Sequence, residues 1–337
     1  MRPLLLCVVS TALLAFRTQS QAGEVVVYTS VDDVFARPIC QQFEKQTGIK
    51  VKLVPDTEET KSTGLLNRLI AEKRRPQADV FWSGDPIRAE ILKNKGISAA
   101  YQSPSAEGLP KEYSDPEGHW TGFSARAKII LYNTKLCPPG KEPTSIFDFM
   151  NPSWNGKGCM ANPLFGTTSM FAAALFDALG EDMAQTWFGA ASANGMKMLS
   201  SNGEVKRAVA AGDYAFGLTD TDDAAEAIKD GKPVGVVYPD SQATGTLLIP
   251  NAAVLIANGP NGENGRKFID YLLTPEVEQA LAEGEAAQIP LRSGVAVPDG
   301  MKTLPDLKQM KVDYAKVAKK LEELSRGFLK DWTAKQR

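Results

Sequence analysis

Two short runs carry the densest chemistry in the chain. Thr219-Asp220-Thr221-Asp222-Asp223 crowds three carboxylates into five positions, and Gly166-Thr167-Thr168-Ser169 sets hydroxyls beside a glycine. Three carboxylates at one place favour a hard cation or an ammonium group. If the glycine run opens a helix, its free backbone N–H groups and the positive end of the helix dipole suit an anion such as phosphate, phosphonate, sulfonate or carbonate. Each run also has a plainer reading. Thr167 or Thr168 can serve as an ordinary N-cap, and Asp220 and Asp222 can cap a helix with Asp223 as a first-turn charge.

Other chemistry is thin. The sequence has one histidine, His119, on an Asp-Pro-Glu-Gly stretch that reads as an exposed loop. With no His/Cys cluster, no Gly-x-Ser-x-Gly elbow and no P-loop, a zinc site, a histidine-dependent triad and a nucleotide cradle lack their parts. A secreted hydrolase using carboxylates alone is the alternative from another class. It needs two acids at a set separation, usually with aromatic platforms. Only Trp82 and Trp120 offer themselves, and Trp82 reads as packing at a strand end. The chain is therefore expected to bind and not to catalyse. A net charge of -2 argues against nucleic acid.

The first residues have the layout of a cleavable secretory signal, 1–22. Arg2 precedes an apolar run from Leu4 to Phe16, with small residues at Ser20 and Ala22. The run stops at Arg17, short of the roughly 20 apolar residues a spanning helix needs. Export leaves Cys40, Cys137 and Cys159 in an oxidising compartment. Cys137 with Cys159 is the local pair, and its bridge would add about 3 kcal/mol by loop entropy. Cys40, in the pattern Phe35, Ile39, Phe43, reads as a core thiol.

The elements that must hold these runs alternate. A strand from Glu24 to Tyr28 leads through a turn into a helix past Phe43, closed by Gly48 before a strand from Ile49 to Val54. Thr63 to Lys73 is amphipathic, Ala78 to Trp82 is a short buried strand, and Pro86 to Asn94 is helical. Such alternation predicts a parallel sheet faced by helices. The β-rich stretch from Gly122 to Tyr132 reads as a first crossover and Gly245 to Ile256 as its return, with a second α/β set between them: a strand at Cys159–Ala161, helices from Gly166 and Glu204, and a strand at Ala215–Leu218. Two crossovers predict two lobes with a cleft between them. Lobe one takes 23–124 and 246–295, lobe two takes 125–245, and C-terminal helices in 296–337 pack on the lobes.

Five segments resemble the periplasmic solute-binding proteins of ABC importers, in particular their ferric-ion-binding branch. They are Val25-Val26-Val27-Tyr28-Thr29-Ser30, the run from Phe43 to Val51, Gln77-Ala78-Asp79-Val80-Phe81-Trp82, Tyr132-Asn133-Thr134 and the run from Phe268 to Glu276. Together they span nearly the whole chain after the signal. The resemblance implies a two-lobed α/β periplasmic-binding-protein fold of type II that closes on its ligand, monomeric, with a membrane permease and an ATPase as partners and no cofactor of its own. Its ligand is expected to be ferric iron with carbonate or phosphate.

In such a fold, loops at the C-terminal ends of parallel strands face the cleft. Candidate ligand residues are Thr29, Ser30 and Asp32; Thr57; Ser83 and Asp85; Asn162, Gly166, Thr167 and Thr168; and Thr219, Asp220, Thr221, Asp222 and Asp223. Arg126, Asp240 and Thr246 are hinge candidates, with an Arg126–Asp240 ion pair as one possibility. The iron-binding relatives usually offer adjacent tyrosines where this chain has Thr219-Asp220-Thr221-Asp222, and none of the eight tyrosines adjoins another. Hydroxyls and aspartates also fit a zwitterion such as an aminoalkylphosphonate, with its anion on the Gly166 run and its amine on the aspartates.

Overall fold

The computed structural model describes residues 23–57 and 62–336, so the expected signal segment lies outside the described residues. The valine run forms Glu24–Thr29 (β1), followed by Asp33–Thr47 (α1) and Lys50–Pro55 (β2). Gly48 closes α1 at φ 74°, a left-handed conformation that glycine adopts without strain, and returns its N–H to the Glu44 carbonyl. Next come Thr63–Ala71 (α2), Val80–Ser83 (β3), Pro86–Asn94 (α3) and Ser98–Ala99 (β4).

The long strand Thr121–Asn133 (β5) leads to Gly158–Ala161 (β6), Gly166–Leu179 (α4), Glu181–Ala193 (α5), Lys197–Leu199 (β7), Asn202–Ala211 (α6), Phe216–Asp220 (β8), Thr221–Lys229 (α7) and Val234–Val237 (β9). Leu248–Ile256 (β10) returns, before Gly262–Leu272 (α8), Pro275–Glu283 (α9), Tyr314–Arg326 (α10) and Phe328–Ala334 (α11).

The strands join in the order β2-β1-β3-β10-β5-β8-β6-β7. The first part of β5, Thr121 to Ala127, pairs antiparallel with β10, and its second part, Lys128 to Asn133, pairs with β8 and β9. This one strand therefore carries the chain from one half of the sheet to the other, and β10 runs back alongside it. β1 lies parallel between β2 and β3, and β6 lies parallel between β7 and β8. Parallel strands covered by helices on both faces are buried on both, which is why β3, β6 and β8 read as short apolar runs.

Three features depart from the sequence reading. α5, β7 and β9 were not expected, because their residues carry weak periodicity. The amphipathic stretch at 312–332 is two helices, broken at Gly327, and α10 lies against both α3 and α4. The Cys137–Cys159 bridge does not exist. Both thiols are free and buried, as is Cys40. Each has a backbone partner instead: Cys137 donates to the Ala215 carbonyl and Cys159 to that of Phe216, the next residue along the chain. Burial pushes the Cys159 thiol well above its usual range and that of Cys40 up to about 12.

Candidate functional site

A cavity of about 260 Å³ opens where four strands end. The residues after β1 (Ser30, Asp32, Val34, Phe35), β6 (Ala161, Asn162, Phe165 to Thr168), β7 (Ser200 to Gly203) and β8 (Asp220, Asp222, Asp223, Glu226) line it, with Ser62, Arg126, Lys206 and Arg207. The N-termini of α1, α4, α6 and α7 thus converge on one space. Only α6 has a side-chain cap: the Ser201 hydroxyl accepts from the Glu204 N–H. α1, α4 and α7 have none at the N-cap, although in α7 the Asp222 carboxylate accepts from the Asp223 N–H at 3.0 Å.

The two strand ends from β6 and β8 differ in charge. α4 begins at Gly166, φ 53°, behind Phe165 at the N-cap, and its first turn contains no acid. α7 begins behind Asp220 with Asp222 and Asp223 in its first turn. One carboxylate oxygen from each of Asp220, Asp222 and Asp223 lies within 4.8 Å of the others.

A buried network joins these two starts. Lys128 Nζ donates to Asp220 at 3.0 Å, to Thr168 at 3.0 Å and to Thr167 and Asn202 at 3.3 Å. Asn202 Nδ2 donates to Thr167 and to Asp220, each at 2.9 Å, and the Thr167 hydroxyl donates to Asp220. Burial works against the charge on Asp220, yet Lys128 and then Arg126 override it and hold its carboxyl below the usual range. Asp223 goes the other way. Burial, then the charges of Asp222 and Asp220, push it up to about 7 against the opposing Thr219 hydroxyl and Lys206.

Arg126 is 7% exposed and faces the cavity from the crossover strand. Its guanidinium pairs with Asp222 at 3.5 Å and Asp220 at 3.7 Å and donates to the Gly84 carbonyl, while its Nε has no partner among the described residues. The Arg126–Asp240 pair therefore does not form. Arg126 and Lys128 are two apart in a strand, so both project from the same face, toward Asp220. Asp240, at φ 60°, instead accepts from the Ser145 hydroxyl and the Ile146 N–H. Thr246 donates to the Pro239 carbonyl at 3.0 Å, and its backbone pairs with Gln309.

The profile of the family described as bacterial extracellular solute-binding protein matches residues 39–309. The chain belongs to that family. Iron uptake protein A1 of Synechocystis sp. is 27% identical over 296 residues, 83% of this chain and 80% of that protein. A putative 2-aminoethylphosphonate-binding periplasmic protein of Salmonella paratyphi A is 28% identical over 268 residues, 76% of this chain and 74% of that one. The crystal structure of iron-bound HitA from Pseudomonas aeruginosa superposes with a TM-score of 0.81 at 22% identity, covering 90% of this chain and 98% of that chain. This is the two-lobed type II binding-protein fold, with two crossover strands and a cleft.

In this solute-binding protein nine of the residues singled out by the sequence line the cavity: Ser30, Asp32, Asn162, Gly166, Thr167, Thr168, Asp220, Asp222 and Asp223. The other six do not. Thr29 donates to the Trp82 carbonyl, Ser83 to the Asp85 carbonyl, and Thr219 to Asp223, while Thr221 accepts from the Ala127 N–H. Asp85 caps α3 and pairs with buried Arg88 at 3.2 Å; Thr57 is exposed beyond β2. His119 is half-buried, its Nδ1 2.9 Å from the Ser98 hydroxyl, and so is not the open surface residue expected. Sequence reasoning missed Lys128, Asn202, Lys206, Arg207 and Phe165. Lys128 left a legible signal, a charge inside the apolar run Ala127 to Leu131.

Proposed function

We propose that this chain, once residues 1–22 are removed, works in the periplasm as a monomeric substrate-binding component of an ABC importer, delivering to a permease and its ATPase a small zwitterion with a phosphonate or phosphate end. The carrying observation is the pair of helix starts on one cavity. α4 offers uncapped N–H groups with no acid in its first turn; α7 offers Asp222, paired with Arg126, and Asp223, 3.9 Å from Lys206, and Asp32 and Arg207 line the same cavity. An anion at such a start gains up to about 2 kcal/mol in partly buried geometry. The ammonium would sit on Asp222, Asp223 and Asp32. The lobe boundaries, 23–124 with 246–295 and 125–245, are part of this proposal, as is hinge action by Asp240 and Thr246 beside the crossovers.

The relative named for 2-aminoethylphosphonate supports the reading, and so does the lining, where no tyrosine stands among the described residues. One observation favours ferric iron with a synergistic anion as a second reading: the three clustered carboxylates, alongside the relative named for iron uptake. Against it, Asp220 is already held by Lys128 and Arg126.

The test is a thermal-shift series on residues 23–337 with 2-aminoethylphosphonate, inorganic phosphate, sulfate, and ferric citrate with carbonate. At 100-fold over its dissociation constant a ligand adds about 2.7 kcal/mol. A shift with 2-aminoethylphosphonate and none with iron is expected. A shift with iron alone would transfer the assignment to the metal.

A further inference from the structure

Two apolar side chains in the cavity belong to no core. Val34, in the first turn of α1, is 63% exposed, and Phe165 at the N-cap of α4 is half-buried. Both line the cavity. Among the described residues neither belongs to, or packs against, the two hydrophobic clusters, whereas Leu164 beside Phe165 packs on the core.

The position of Phe165 is chemically unusual. A helix N-cap is where Ser, Thr, Asp or Asn accept from the orphan N–H groups, and a phenyl ring cannot. A ring there leaves the first N–H groups of α4 open and sets an apolar face beside them. Phe35, the neighbour of Val34, lines the same cavity while resting on the core, so the apolar surface on that side is anchored. Arg126, buried and with its Nε unpartnered among the described residues, lines the same space. A bare oxyanion uses the donors and leaves the apolar faces wet. A molecule with both ends uses both.

We infer that the cavity takes an organic phosphonate or phosphate ester whose apolar body lies against Phe165 and Val34 while its anion meets the start of α4. This rests on the anion reading above and narrows it, because inorganic phosphate and sulfate lack the body. Phe165 acts as the specificity residue: it selects among anions by the group attached to them.

The experiment is calorimetric titration of residues 23–337, and of its Phe165→Ala and Phe165→Leu variants, with inorganic phosphate, methylphosphonate, 2-aminoethylphosphonate and phenylphosphonate. The expected result is phenylphosphonate at least about tenfold tighter than inorganic phosphate, the preference lost in Phe165→Ala and partly kept in Phe165→Leu, with inorganic phosphate changed less than about twofold in either. The thermal midpoints of the unliganded variants check that both remain folded. Binding of all the anions without preference for the aryl probe, or an equal loss for every probe in Phe165→Ala, would overturn this inference and leave the anion reading standing. Binding of none of the four to the unsubstituted chain would remove both.

Discussion

The starts of α4 and α7 occupy equivalent places, each at the C-terminal end of a buried strand and each without a side-chain cap, yet one is free of acids and the other carries three. The backbone supplies the same partial positive charge to both. Side chains then reverse one of them. On the proposed function a ligand with two charges meets these two rims, which Lys128 and Asp220 pin together and where Arg126 pairs with Asp222 on the acidic one. The loop before α3 makes the contrast sharper: Asp85 caps its own helix and pairs with Arg88, and that loop contributes nothing to the lining. A strand-end position is therefore not enough.

The largest effect tests the pin. Lys128→Met leaves Asp220 buried without its nearest cation and should lower the unfolding free energy by about 3–5 kcal/mol in a denaturant titration. A loss below about 1 kcal/mol would mean that the two rims are not joined through this pair.

Reversing the α4 rim comes next. The space around a Cβ at Gly166 is empty to 4 Å, and aspartate tolerates its left-handed backbone, so Gly166→Asp should fold at a cost of about 1 kcal/mol. It should weaken binding of 2-aminoethylphosphonate at least about 30-fold in a calorimetric titration, since a carboxylate near the anion repels it. Unchanged affinity would place the anion elsewhere.

Neutralising the α7 rim gives a smaller and more selective effect. Asp222→Ala should weaken 2-aminoethylphosphonate about tenfold while leaving methylphosphonate, which has no amine, within about twofold. Equal losses for both compounds would deny the aspartates their ammonium.

The smallest effect is in pH. Asp223, raised to about 7 in the folded chain, holds its proton more tightly folded than unfolded, where an aspartate titrates near about 3.9. Between those values the folded state binds more protons, so this residue's stabilising contribution is complete at low pH and lost as pH rises toward 7. Asp220, shifted down, contributes above its unfolded value and loses that contribution only in more acidic solution. The unfolding midpoint should fall from pH 5 to 7.5, and Asp223→Asn should reduce that slope. An unaltered slope would assign it to other raised carboxyls such as Asp240 and Glu90.

Much of this was legible in the sequence. The α/β alternation, both crossovers and the two helix starts follow from periodicity and from Gly, Pro and β-branched placement. What was not legible is who satisfies whom. Thr29, Ser83 and Asp85 are similar in residue type to Ser30, Thr167 and Asp222, and only the fold decides that the first three are turned to backbone partners away from the cavity while the last three line it. The free thiols were hidden for the same reason, because nearness in sequence does not reveal that each finds its own backbone carbonyl. Phe165 escaped because an aromatic ring at a helix start reads as packing until the core is seen not to claim it.

The most direct measurement is a crystal structure of residues 23–337 grown with 2-aminoethylphosphonate. The account predicts the phosphonate oxygens within hydrogen-bonding distance of the first N–H groups of α4 and the ammonium on Asp222 and Asp223. A phosphonate bound away from α4, or a metal ion on the three aspartates with the α4 start unused, would contradict it.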